Sequence, residues 1–204
     1  MRKILFVIDM QNDFIDGSLG TKEAIEIVPR VKEKIESYKR YIKEGVQKIM
    51  DIPYDTSSMY SLSMAVSSVG RIFYTMDTHD DKYLSTFEGR RLPVEHCIQG
   101  TEGWKINSSI FDGVETSMER IIHKRTFGAD TRAISQNVGH LGDNDEIEIV
   151  GLCTNICVLS NAIILRALYP NTKITVDSSC CAGTSVEAHR NALEAMKMCQ
   201  IDVI

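Results

Sequence analysis

The 204-residue sequence has no apolar stretch approaching the roughly 20 residues needed to cross a bilayer, so a membrane-spanning helix is not expected. It has no block of basic residues either. With 23 Lys plus Arg against 28 Asp plus Glu, the net charge is −5, which argues against a nucleic-acid or anionic-lipid partner. The first apolar run, Ile4 to Ile8, stops at Asp9 and lacks the longer core and small-residue cleavage site of a signal peptide. None of the six cysteines (97, 153, 157, 180, 181 and 199) forms a C-x-x-C pair, so a thioredoxin-like or zinc-ribbon pattern is missing. The expected compartment is the reducing cytosol, where cysteines serve as buried thiols, ligands or nucleophiles. Internal repeats are absent. What remains, 43% hydrophobic and 25% charged residues, is the composition of a soluble globular protein about one domain long.

Short runs rich in Ile and Val recur at Ile4 to Ile8, Ile72 to Tyr74, Ile121 to Ile122, Ile147 to Leu152, Ile174 to Val176 and Ile201 to Ile204. Helical patterns fall between them. Val28, Val31, Ile35, Tyr38 and Ile42 mark one face of a helix expected to end near Glu44. The segment 155 to 168 is apolar nearly all round, as expected of a buried helix. A last helix is expected to start with Thr184 and Glu187 as a capping box and to carry Val186, Leu193 and Met196 as its stripe. Strands apolar on both faces and alternating with helices predict a three-layer α/β/α fold around a mostly parallel sheet. Residues 1–204 are expected to form one domain. Residues 45–70 do not fit the rhythm: they make an atypical insertion of roughly 25 residues where connections usually run about 2 to 6. A surface excursion or helical hairpin is one reading, and a lid or subunit contact is the other.

In open parallel sheets ligands bind beyond the carboxyl ends of the strands. The residues just after the apolar runs are Asp9, then Asp77 and His79, then Lys124, then Cys153 to Cys157. Cys157 is the candidate nucleophile, since a position in the first turn of a helix favours a thiolate; a buried structural thiol is the alternative. Cys153 is placed to offer its backbone N–H rather than its sulfur, and a disulfide switch between the two is a minor reading. Cys180, Cys181 and Cys199 read as packing residues, and His123, His140 and His189 as structural. Asp77 and His79, two residues apart, can point to one side of an extended chain. With Glu88 and His96 they suit a borderline divalent ion, although a solvated acidic loop explains the same residues.

Taken together, VIDMQNDF, DTH followed by LPVEHC and GTEGW, Lys124 in HKRTFGAD, and GLCTNICV resemble the isochorismatase-like cysteine hydrolases, and within them the nicotinamidases. The resemblance covers nearly the whole chain in order, apart from 45–70. It implies a catalytic triad of Asp9, Lys124 and Cys157 and backbone oxyanion donors at Cys153 and Cys157. It also implies a cis peptide at Leu152–Cys153. The metal ligands it implies are Asp77, His79 and His96, with Glu88 at the fourth position, holding zinc or, as alternatives, manganese or iron. The implied substrate is a small-molecule amide, nicotinamide, hydrolysed through a thioester on Cys157. The metal would take the pyridine nitrogen, with Phe14 and Trp104 as candidates to sandwich the ring.

Other readings stay open at this level. Superfamily amidases acting on carbamoyl or ureido groups keep the triad, and isochorismatase-type hydrolases cleave a vinyl ether without a metal. A non-catalytic metal-binding or assembly protein would keep only the fold, and a homo-oligomer is compatible with any of them.

Overall fold

The structure is a computed structural model that describes residues 1–51 and 59–204. The first strand, β1 (Lys3–Ile8), is apolar on both faces: Ile4, Phe6 and Ile8 point into one core cluster, Leu5 and Val7 into the other. A strand of that kind must be covered on both sides, and it lies at the centre of the sheet. The other strands are β2 (Gly70–Asp77), β3 (Glu119–Lys124), β4 (Glu146–Leu152), β5 (Lys173–Ala182) and β6 (Asp202–Val203). They pair in parallel throughout, in the order β3-β2-β1-β4-β5-β6. The chain winds outward from β1 in both directions, so the topological switch point lies between β1 and β4. The expected three-layer fold is the observed one.

One face of the sheet is covered by α1 (Asn12–Ile15) and α2 (Lys22–Met50), with Val66 of α3 (Met59–Val69) in the same cluster. The other carries α4 (Thr131–Val138), α5 (Leu159–Leu168) and α6 (Val186–Met198). Helix α2 starts on Thr21, whose side chain accepts from the Ala24 N–H, and buries Ile27, Val31, Ile35, Tyr38 and Ile42. It does not end near Glu44 but runs on to Met50. Gly45 continues it without breaking it, and for a packing reason: a Cβ there would lie 2.5 Å from Cγ1 of Val69 in α3. The expected insertion over 45–70 is therefore helix on both sides, and its middle, 52–58, lies outside the described residues. No helix among the described residues is long and apolar enough to cross a membrane.

Four other local expectations are corrected. Helix α6 is capped by Ser185, whose hydroxyl accepts from the Ala188 N–H; Thr184 is instead held by the side chain of Asn155. Val186 is 57% exposed, so the buried stripe of α6 is Ala192, Leu193 and Met196, and Cys199 is exposed rather than packed. Residues 155 to 168 are not one uniformly buried helix. Thr154–Val158 forms a turn of π-helix, closed by the Val158 N–H on the Cys153 carbonyl, before α5 begins; Ile163 of α5 is partly exposed.

Candidate active site

The carboxyl ends of β1, β2, β3 and β4 converge at the switch point. Asp9 follows β1 with φ +46°, a left-handed conformation that aspartate tolerates better than most residues. Beside it, Gly151 of β4 has φ +120°, and a Cβ there would lie 2.1 Å from the Ile8 carbonyl oxygen. Only glycine lets β4 approach β1 this closely while its register with β5 shifts. The next peptide, Leu152–Cys153, is cis, and the π-turn after it carries Cys157.

The three residues assigned to a triad lie together. Lys124 Nζ is 2.7 Å from Asp9 Oδ2 and 3.6 Å from Cys157 Sγ, with both charged side chains fully buried. Asp9 Oδ1 accepts from the Thr75 hydroxyl at 2.7 Å. Burial raises the Asp9 carboxyl above its usual range, against the opposing pull of Lys124. Burial would lower Lys124, but Asp9, Cys157 and Asp77 prevail and hold it as an ammonium. The thiol of Cys157 is pushed well up by burial and by Asp9, with Lys124 acting the other way. A helix start alone would favour thiolate; the observed burial keeps the resting sulfur protonated, next to a carboxylate able to take the proton.

Asp77 joins this group to a second one. Its Oδ1 is 3.4 Å from Lys124 Nζ, while its Oδ2 is 3.1 Å from His79 Nε2 and 3.8 Å from His96 Nε2. Glu88 Oε1 is 3.9 Å from the same His96 nitrogen. Ligand atoms of Asp77, His79, Glu88 and His96 all lie within 4.8 Å of one another. His96 Nδ1 lies 2.9 Å from the Val94 carbonyl, which accepts its N–H and so turns Nε2 toward the carboxylates. Two imidazoles and two carboxylates with one nitrogen oriented in this way fit a divalent cation such as zinc.

A cavity of about 300 Å³ opens over both groups. It is lined by Asp77, Glu88, His96, Cys153 and Cys157 together with the apolar side chains of Phe14, Leu19, Leu92, Phe127 and Ile156. Phe14 lines this cavity, with 5.4 Å between its ring centroid and that of His96. Trp104 does not: it lines a different groove, stacked on His123, with its indole N–H donated to Thr78. The indole is committed to the outer side of β3, so it is not a wall of this cavity.

A family model described as the Isochorismatase domain matches residues 3–204. The chain belongs to the isochorismatase family. A nicotinamidase of Saccharomyces cerevisiae is 27% identical over 223 residues, 99% of each chain. Among solved structures, the pyrazinamidase of Pyrococcus horikoshii in complex with zinc is 24% identical with a TM-score of 0.68, over 100% of this chain and 99% of that one. N-carbamoylsarcosine amidase from Thermoplasma acidophilum is 21% identical with a TM-score of 0.67, over 100% and 95%. These two structures share the fold.

Within this isochorismatase-family site, several supporting residues escape sequence reasoning. Buried Gln11 clamps the end of β2: its Nε2 donates to the Asp77 and Trp104 carbonyls, and its Oε1 accepts from the Asp77 N–H at 2.7 Å. Asp13 accepts from the Cys97 N–H and so steadies the loop that presents His96. Tyr83 packs its ring against both His79 and His96. Gln11 and Asp13 lie inside the VIDMQNDF motif, a signal that could have found them; Tyr83 has none.

Proposed function

We propose that the protein is a metal-assisted cysteine amidohydrolase that converts nicotinamide and water to nicotinate and ammonia. The observation that carries this reading is the contact set Asp9–Lys124–Cys157, whose Cys157 lines a small apolar cavity shared with Asp77, Glu88 and His96 of the four-residue group. The cavity volume is at the low end for ligand sites, which suits a single small ring.

Asp9, its basicity raised by burial, takes the Cys157 proton as the thiolate attacks the amide carbonyl. Lys124 holds its ammonium against both developing charges. Backbone N–H groups of Cys153 and Cys157 receive the oxyanion, a contribution of about 3 kcal/mol per donor. Asp9 then returns the proton to the leaving nitrogen, and ammonia departs from a thioester. A water deprotonated by Asp9 attacks the thioester; the acid leaves and the proton returns to Cys157. A divalent ion held by Asp77, His79, Glu88 and His96 would supply a Lewis-acid contact for the ring nitrogen, while Phe14 faces the ring.

Among the described residues no Arg or Lys lines the cavity, and its carboxyl groups are those of Asp77 and Glu88. This favours a neutral aromatic amide over substrates carrying a carboxylate, such as carbamoylated amino acids or isochorismate. The test is ammonia release from nicotinamide and from a carbamoylated amino acid, with Cys157→Ala as control. Release from nicotinamide that vanishes in the variant is expected. Release from the carbamoyl compound alone would overturn the substrate and keep the class, and activity surviving Cys157→Ala would overturn the mechanism.

A further inference from the structure

The segment 125–130 links β3 to α4 and separates two cavities. Phe127 faces the cavity above Cys157, whereas Thr126 and Gly128 face the groove beside β3 that holds Trp104. Within the loop, the Thr126 hydroxyl donates to the Gly128 carbonyl. A further anchor comes from α5. Fully buried Asn161 spends its whole amide there: Oδ1 accepts from the Ala129 N–H at 2.9 Å, and Nδ2 donates to the Phe127 carbonyl at 3.2 Å and to the Cys157 carbonyl at 2.8 Å. One side chain thus ties the residue bearing the thiol to a residue whose ring lines the same cavity. The Phe127 ring itself is 46% exposed, so core packing does not hold it; it lies where a bound ring would cover it.

We propose that Phe127 is a specificity-determining wall that limits the cavity to single-ring aromatic amides, and that Asn161 is the positioning residue setting its spacing from Cys157. This rests on the amide-hydrolase reading of the site. A displaced or missing wall widens the cavity that Cys157 lines while leaving Asp9, Lys124 and Cys157 untouched. Asn161 therefore acts on substrate size through Phe127 and not on the chemical step alone.

The experiment compares pyridine-3-carboxamide with the bicyclic quinoline-3-carboxamide in wild type, Phe127→Ala, Asn161→Ala and the double variant. Phe127→Ala is expected to raise the bicyclic-to-single-ring ratio of kcat/KM by on the order of tenfold or more. Asn161→Ala is expected to move the ratio in the same direction through KM, and the double variant to move it no further than Phe127→Ala does. An unchanged ratio in Phe127→Ala overturns the wall. A loss of kcat on both amides with the ratio unchanged in Asn161→Ala overturns the positioning role. Should Asn161→Ala not fold, Asn161→Asp, which keeps the acceptor for Ala129 and removes both donors, is read in the same way. If wild type releases ammonia from neither amide, the hydrolase reading fails by itself. Calorimetric titration of both amides into wild type and Phe127→Ala then decides the wall, and equal discrimination by the two proteins overturns it.

Discussion

Replacing Lys124 with methionine keeps a long side chain and deletes the charge that faces Asp9 at 2.7 Å and Asp77 at 3.4 Å. Removing one partner of a buried pair costs about 3–5 kcal/mol, because the other is left as an uncompensated buried charge. Here two carboxylates lose their cation, and Asp9 is fully buried with Thr75 as its remaining side-chain donor, so a cost of about 4–5 kcal/mol is expected. Asp9→Asn leaves Lys124 beside Asp77 and is expected to cost less, about 3 kcal/mol. The double variant removes both charges together. Its cost should fall short of the sum of the singles by about 2 kcal/mol, the coupling energy of contacting residues. Urea unfolding followed by far-ultraviolet circular dichroism gives all three values. The pH dependence supplies a second check. Lys124 pulls the Asp9 carboxyl down against burial, so removing it lifts the folded-state pKa of Asp9 further above the unfolded value. A group raised in this way favours the fold below its unfolded pKa and loses that contribution as pH rises through its folded pKa. The deficit of Lys124→Met should therefore grow as pH rises above the unfolded carboxylate value of about 4. A deficit within about 1 kcal/mol of zero at neutral pH, as for an exposed pair, would refute the reasoning, as would additivity in the double variant.

The fold and the supporting contacts give three further expected outcomes. Gly151→Ala places a Cβ 2.1 Å from the Ile8 carbonyl at φ +120°, and thermal denaturation should report a loss of about 3 kcal/mol or more; a near-neutral result would mean that β1 and β4 can part without cost. Burial would raise Asp145, but donors from Arg2 and Gly142 hold it below the usual carboxylate range; its contribution is present above the unfolded value and lost as pH falls through the folded one. Asp145→Asn should accordingly flatten the acid limb of stability below about pH 4, and an unchanged limb in urea midpoints would remove this ion pair from it. Gln11→Met unclamps both backbone groups of Asp77, and competition with a chelating dye should show zinc affinity weakened about 10–100-fold, whereas equal affinity would mean that the clamp does not orient the ligand.

The parts legible in the sequence are those with a positional signal. Asp9, Asp77, Lys124 and Cys157 are legible because each comes just after an apolar run, and parallel strands deliver the residues at their carboxyl ends to one edge of the sheet. The sheet itself is legible for the same reason, since β1 is apolar on both faces. Residues that work by completing hydrogen bonds have no such period. Gln11 and Asn161 are buried amides whose oxygens accept and whose nitrogens donate to backbone groups; Gln11 is marked only by its place in VIDMQNDF, and neither an apolar pattern nor a spacing rule marks Asn161. Phe127 and Trp104 show the same limit from the other side. Both are aromatic residues in motif-bearing loops, and only the fold of those loops decides which one faces Cys157. Helix ends escape where tertiary packing overrides local preference. The end expected near Glu44 gives way to a longer helix in which Val69 fills the space beside Gly45, and Thr184 reads as a cap until Asn155 claims it.

The most direct test of the proposed chemistry is to mix the protein with nicotinamide, quench in acid within the first turnover, and weigh the peptide that contains Cys157. A nicotinoyl adduct on that cysteine, formed with release of ammonia and absent from Cys157→Ala, is the expected result. Ammonia released in the first turnover while the Cys157 peptide stays unmodified under acid quench, and released equally by Cys157→Ala, would contradict it.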